Sequence, residues 1–96
     1  MSTTADSRKT AQERIQTLIA LIDREPPSDA KTKLKDECEA LARAIAAFHM
    51  EGIRFRSYNV DRLITRGGEA VPAGAAEVFA ELRKDLENAG FHTRSH

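Results

Sequence analysis

Between residues 28 and 66, Leu34, Cys38, Leu41, Ala42, Ile45 and Phe48 recur at alternating steps of about three and four, the spacing of one helical face. At roughly 100° per residue, Ile53, Phe55, Val60 and Leu63 continue beyond Gly52 on the side that carries Leu34 and Ile45. The pattern therefore predicts one long central helix that passes through Gly52 unbroken. A competing reading ends that helix at Glu51, with Gly52 just beyond its cap. Residues 53–57 then alternate as a strand, and residues 91–95 could pair with them in a short α+β arrangement.

Two shorter helices flank the central one. Ala11, Ile15, Leu18, Ile19 and Ile22 form an amphipathic stripe over a first helix that starts near Ser7 or Thr10 and runs to Arg24. Pro26 and Pro27 end it, because a proline pushes the preceding residue out of helical geometry. Ser28 is a good N-cap for the next helix, and Asp29 suits the positive end of its dipole. The pair Gly67-Gly68 stops the central helix. Pro72 opens a last helix that buries Ala75, Phe79, Leu82 and Leu86, and Gly90 closes it. Phe91 is expected to fold back on the bundle. Residues 1–7 and 92–96 are expected to be flexible ends of a single helical domain over 1–96.

These lengths lead to an all-α chain of three helices. At about 1.5 Å per residue the central helix would be about 55 Å long, twice its neighbours. Each half would be a two-helix hairpin with too little cover for its apolar face. An elongated bundle completed by a homodimer is the expected solution.

Composition narrows the function. Charged residues make up 31% of the chain, and the formal net charge is zero, which removes any general pull toward nucleic acid or anionic membranes. Arg54, Arg56, Arg62 and Arg66 stand near Asp61, but on a helix they scatter around the axis, so a nucleic-acid stripe is not expected. No run of about 20 apolar residues exists, and the first residues lack the apolar segment of a signal peptide, so the expected setting is the cytoplasm. Cys38 is the single cysteine, between Glu37 and Glu39, and reads as a buried, unreactive thiol.

The polar residues within the long apolar face are His49, Arg56 and Asn59, with Gly52 between them. One reading is an anion or small-ligand site in the bundle core, Arg56 offering a fork of donors and His49 another. The other places them at a bundle edge or dimer seam, where they set register or reach water. Metal and cofactor binding are not expected. His92 and His96 lie past the helix end, no Glu-x-x-His pair exists, and Asp36, Glu37 and Glu39 read as a solvated face. There is no glycine-rich phosphate loop and no nucleophile-elbow motif, and Ser57 falls off the face that carries His49. The expected function is a non-catalytic interaction module (a regulator, adaptor or small subunit) acting as a homodimer, with a protein partner. Binding of a small anionic ligand through Arg56 and His49 is the alternative, and an enzyme lacks its catalytic set.

Overall fold

The first apolar stripe forms the spine of the molecule. In the computed structural model, which describes residues 3–68 and 70–91, it lies on α1 (Thr3–Asp23), followed by α2 (Asp29–Ala46), α3 (Met50–Arg66) and α4 (Ala75–Asn88). No strand occurs among the described residues. Ala11, Ile15, Leu18, Ile19 and Ile22 are all buried, and α1 starts at Thr3, several residues earlier than its pattern predicts.

The proline link turns the chain back as expected. The Ser28 hydroxyl accepts the Lys31 amide at 3.0 Å, capping α2. Lys31 also serves α1, which has no basic residue in its last turn. Its ammonium donates to the Asp23 carbonyl at 3.1 Å and the Glu25 carbonyl at 2.8 Å, placing positive charge at the negative end of the α1 dipole.

The predicted long helix is two helices. α2 ends at Ala46 and α3 begins at Met50, so Gly52 lies in the first turn of a new helix. The three-helix architecture with a long central rod is thereby corrected to four helices among the described residues. The strand alternative also falls, since residues 53–57 are helical; residues 92–95, its other half, lie outside the described residues.

α1 packs against both α2 and α4, α2 packs against α3, and α3 meets α4 less extensively. Contacts at both ends show that neighbours run in opposite directions. The end of α1 meets the start of α2 (Asp23 with Lys35) and its start meets the end of α2 (Arg8 with the Ala46 carbonyl). Glu37 meets Arg56 while Ala30 and Leu34 lie beside Leu63 and Arg66, and Asp61 meets Arg83 while Ile64 and Thr65 lie beside Ala76. Arg14 of α1 meets Asp85 of α4. This is up-down-up-down bundle packing. A single core collects Leu18 and Ile22 from α1, Leu41 and Ile45 from α2, Ile53 and Val60 from α3, and Leu82 and Leu86 from α4. Each such side chain contributes about 1.5–3 kcal/mol through burial.

Closure within one chain removes the reason for an elongated shape completed by a second copy. The molecule measures 42 × 26 × 20 Å, too short for a rod of about 55 Å. Its radius of gyration is 12.6 Å, against about 12.5 Å expected for a compact single domain of this length.

The last helix begins at Ala75 rather than Pro72. Pro72 sits in the preceding turn, its carbonyl accepting the Ala75 amide at 3.1 Å. At the other end the expectation holds. Gly90 adopts φ +95°, the Phe91 amide reaches the Leu86 carbonyl at 2.8 Å, and the Gly90 amide reaches Glu87 at 3.0 Å. That is the Schellman pattern, and it buries Phe91 in the core.

Candidate interaction site

The site is set by how α2 ends. Its terminus is also a Schellman turn, but the left-handed position is filled by Phe48, at φ +59°, rather than glycine. The Phe48 amide donates to the Ile45 carbonyl at 3.1 Å and the His49 amide to the Ala44 carbonyl at 3.0 Å. A side chain in this conformation costs roughly 1–2 kcal/mol. Contacts from distant parts of the chain offset it. The Phe91 ring meets Phe48 edge-on, with centroids 4.8 Å apart. The Arg8 guanidinium lies 4.6 Å over the Phe48 ring and donates to the Ala46 carbonyl at 2.9 Å, adding positive charge at the negative end of α2.

His49 then starts α3. Its backbone is extended, and its ring Nδ1 accepts the Gly52 amide at 2.8 Å as an N-cap. Gly52 is needed here for space. A Cβ on it would stand 2.8 Å from His49 Nδ1 and 3.3 Å from the Ala44 Cβ. The alanine on the flank of α2 and the glycine on α3 thus allow the two helices to approach closely.

The turn also rotates α3. Its buried positions are Ile53, Ser57, Val60 and Ile64, whereas an unbroken helix would point Arg56 and Leu63 inward. Arg56 and Asn59 move to the flank beside α2, where both meet Glu37. Arg56 Nη1 donates to both Glu37 oxygens at 3.1 Å, and Asn59 Nδ2 donates to Oε2 at 3.2 Å. The structure therefore brings together Arg56 and Asn59 of the three candidate residues. His49 stands apart, with Nδ1 committed to the cap. Arg56 is balanced by a carboxylate of its own chain. Its side chain is 38% exposed, so the pair is partly screened by water.

The rotation sends the aromatic residues outward. Phe55, expected on the apolar face, is 58% exposed, and Tyr58 is 45% exposed. Phe48 and Met50 are the other large hydrophobic residues exposed among those described, so the exposed large hydrophobic side chains all fall within residues 48–58. Arg62 lies with its guanidinium 5.7 Å from the Tyr58 ring centroid. Glu51 and Arg62, both exposed, lie at either end of the aromatic pair.

A groove runs between the start of α2 and the end of α3. One part, a cavity of about 230 Å³, has Leu34, Leu63 and Val71 in its wall and Lys33 and Arg66 at its edge. The neighbouring part, about 260 Å³, adds Arg62, Asn59 and Glu37. The core itself offers little chemistry. Burial pushes the Cys38 thiol up to about 12, and Glu37 and Glu39 add to the effect, so the nucleophilic thiolate is suppressed. The Ser57 hydroxyl is fully buried and has no hydrogen-bond partner among the described residues. No cluster of three metal-binding side chains occurs among those residues, and His92 and His96 lie outside them. Among the described residues, no helix is long and apolar enough to cross a membrane.

Sequence reasoning missed Glu37, read as a solvated acid, and the outward pair Phe55 and Tyr58. The available signal was their spacing of three residues, framed by Glu51 and Arg62 at four on either side. It can be interpreted only once the break at residues 47–49 is known. No known protein family, curated protein or solved structure matches the chain.

Proposed function

We propose that the protein is a non-catalytic helical interaction module that acts as a homodimer through the outer face of α3. The observation that supports this most is that the exposed large hydrophobic side chains among the described residues all lie within residues 48–58, with Phe55 and Tyr58 side by side on a helix whose opposite face is core. Aromatic side chains are costly to leave in water and are enriched where proteins meet. The core itself is closed within one chain and leaves no apolar face for a second copy to complete. The reading takes the cytoplasm as its setting; among the described residues no helix is long and apolar enough to cross a membrane. Sedimentation velocity of wild type and Phe55→Ser tests it. Wild type should shift toward a dimer with concentration, and the variant should stay monomeric with its melting temperature kept. A variant that self-associates like wild type would remove the reading.

A second reading has its own observation. Lys33, Arg62 and Arg66 edge a groove with an apolar wall, which suits a small anion carrying an apolar body. The anion site expected at Arg56 and His49 moves here, because Arg56 already has Glu37 and His49 caps α3. A thermal-shift screen of carboxylates and phosphates at matched ionic strength tests it. A stabilisation lost in Arg66→Gln but kept in Arg56→Met supports the groove. A stabilisation lost only in Arg56→Met returns the site to Arg56.

A further inference from the structure

The outer face of α3 carries Glu51, Phe55, Tyr58 and Arg62 at successive steps of four, three and four residues. At roughly 100° per residue these four fall within about 60° of one another, directly opposite the buried stripe of Ile53, Ser57, Val60 and Ile64. Such spacing is that of a coiled-coil seam, the geometry by which two helices pack along each other at a shallow angle. All four residues are exposed, the Arg56 guanidinium lying 5.2 Å from the Phe55 ring centroid and that of Arg62 5.7 Å from the Tyr58 ring centroid.

The order of the four residues is self-complementary. Glu51 and Arg62 lie equally far, on opposite sides, from the midpoint between Arg56 and Ser57, and so do Phe55 and Tyr58. We propose that two copies of the chain pair α3 against α3, antiparallel, about a two-fold axis at that midpoint. In this register Glu51 faces Arg62 of the partner subunit and Phe55 faces Tyr58 of the partner subunit, each contact made twice. A two-fold interface requires this reciprocity, residue i meeting j while j meets i. A parallel pairing would set Glu51 against Glu51 and Arg62 against Arg62, so the charges select the antiparallel sense. The aromatic pairs occupy the centre, and the ion pairs sit at the edges where they fix register. Arg54 and Arg66 stand off the seam on its flanks. Four seam positions per helix make a small interface, under about 1,200 Å² in total, so the association depends on concentration.

The inference rests on the α3 face being the contact surface, and charge exchange separates the two claims. Glu51→Arg, Arg62→Glu and the double exchange are compared with wild type by sedimentation up to about 1 mM, the range suited to weak association. Each single variant should associate at least ten-fold more weakly than wild type, because it places like charges opposite each other at both ends. An equimolar mixture of the two single variants should form a heterodimer, and the double exchange should recover the homodimer. Glu51 also stands in the first turn of α3, where an acid is favoured, and Arg62→Glu gives up the guanidinium beside the Tyr58 ring, so melting is followed alongside for both. If Phe55→Ser weakens association but the exchanged variants pair no differently from wild type, the register is wrong and the face stands. If wild type remains a monomer throughout, or Phe55→Ser changes nothing, face and register both fail.

Discussion

Gly52→Ala, measured with and without His49→Ala, distinguishes the folded-back structure from a continuous helix. In an unbroken helix the exchange is neutral or stabilising by up to about 1 kcal/mol, because alanine lowers the entropy of the unfolded chain and favours helix. In the observed structure the new Cβ would stand 2.8 Å from His49 Nδ1. The imidazole must swing away, and the cap on the Gly52 amide is lost. Losing an N-cap costs about 1 kcal/mol, within a range of 0.5–2. The Ala44 Cβ at 3.3 Å adds a smaller penalty. The helix gain and the cap loss nearly cancel, so Gly52→Ala alone should lie between neutral and about 1 kcal/mol destabilising. A double-mutant cycle with His49→Ala removes the ambiguity. His49→Ala alone should cost about 1 kcal/mol, the value of the cap. In that background there is no ring to displace, and Gly52→Ala should now stabilise by up to about 1 kcal/mol. The expected coupling is thus about 1 kcal/mol, read from urea unfolding midpoints with unchanged slopes. Equal effects of Gly52→Ala in the two backgrounds would refute the cap and with it the start of α3 at this point.

Three further perturbations probe the core and the corner. Ser57→Ala removes a buried hydroxyl without a partner and should stabilise by about 1 kcal/mol in urea unfolding; a loss of that size would mean the hydroxyl is satisfied. Arg8→Ala removes both the charge over the Phe48 ring and the hydrogen bond to the Ala46 carbonyl, and thermal unfolding should show a cost of about 1–2 kcal/mol, whereas no change would leave the left-handed Phe48 without its support. The Cys38 thiol keeps its proton in the folded state up to about 12, whereas in the unfolded chain it releases the proton above about 8.5. Stability from the neutral thiol is therefore complete below the unfolded value and is lost as pH rises toward the folded one, with a slope approaching 1.4 kcal/mol, roughly, per unit. Cys38→Ala should flatten that alkaline slope in urea titrations, and an unchanged slope would show that the thiol is not held neutral.

The parts of the fold that were legible in the sequence are those whose signals are local. The stripe from Ala11 to Ile22, the proline link, the Ser28 cap and the return of Phe91 past Gly90 each follow from residues within a few positions of one another. The break at residues 47–49 was hidden because its chemistry is atypical. The left-handed position holds phenylalanine instead of glycine, and the N-cap is histidine instead of serine, threonine or an acid. Its support comes from Arg8 and Phe91, about 40 residues away in either direction, which no local window contains. Past the break, Ile53 and Val60 and the last helix's Ala75, Phe79, Leu82 and Leu86 are buried as the pattern predicts, and the differences fall within the rest of α3. An unbroken helix points Phe55, Arg56 and Leu63 inward and leaves Ser57 outside, whereas α3 buries Ser57 and Ile64 beside Ile53 and Val60. Within the candidate set, Arg56 and Asn59 do share an environment, but the group that unites them is Glu37, and only the antiparallel packing of α2 and α3 brings it near.

The role of the α3 face is tested most directly by following backbone amide resonances of the wild-type protein as concentration is raised toward about 1 mM, where weak association becomes populated. Amides of residues 51–62 should move progressively, most strongly at Phe55 and Tyr58, while those of α1 stay fixed. Shifts confined to α1 or α4, or none over the whole range, would contradict a role for this face in self-association.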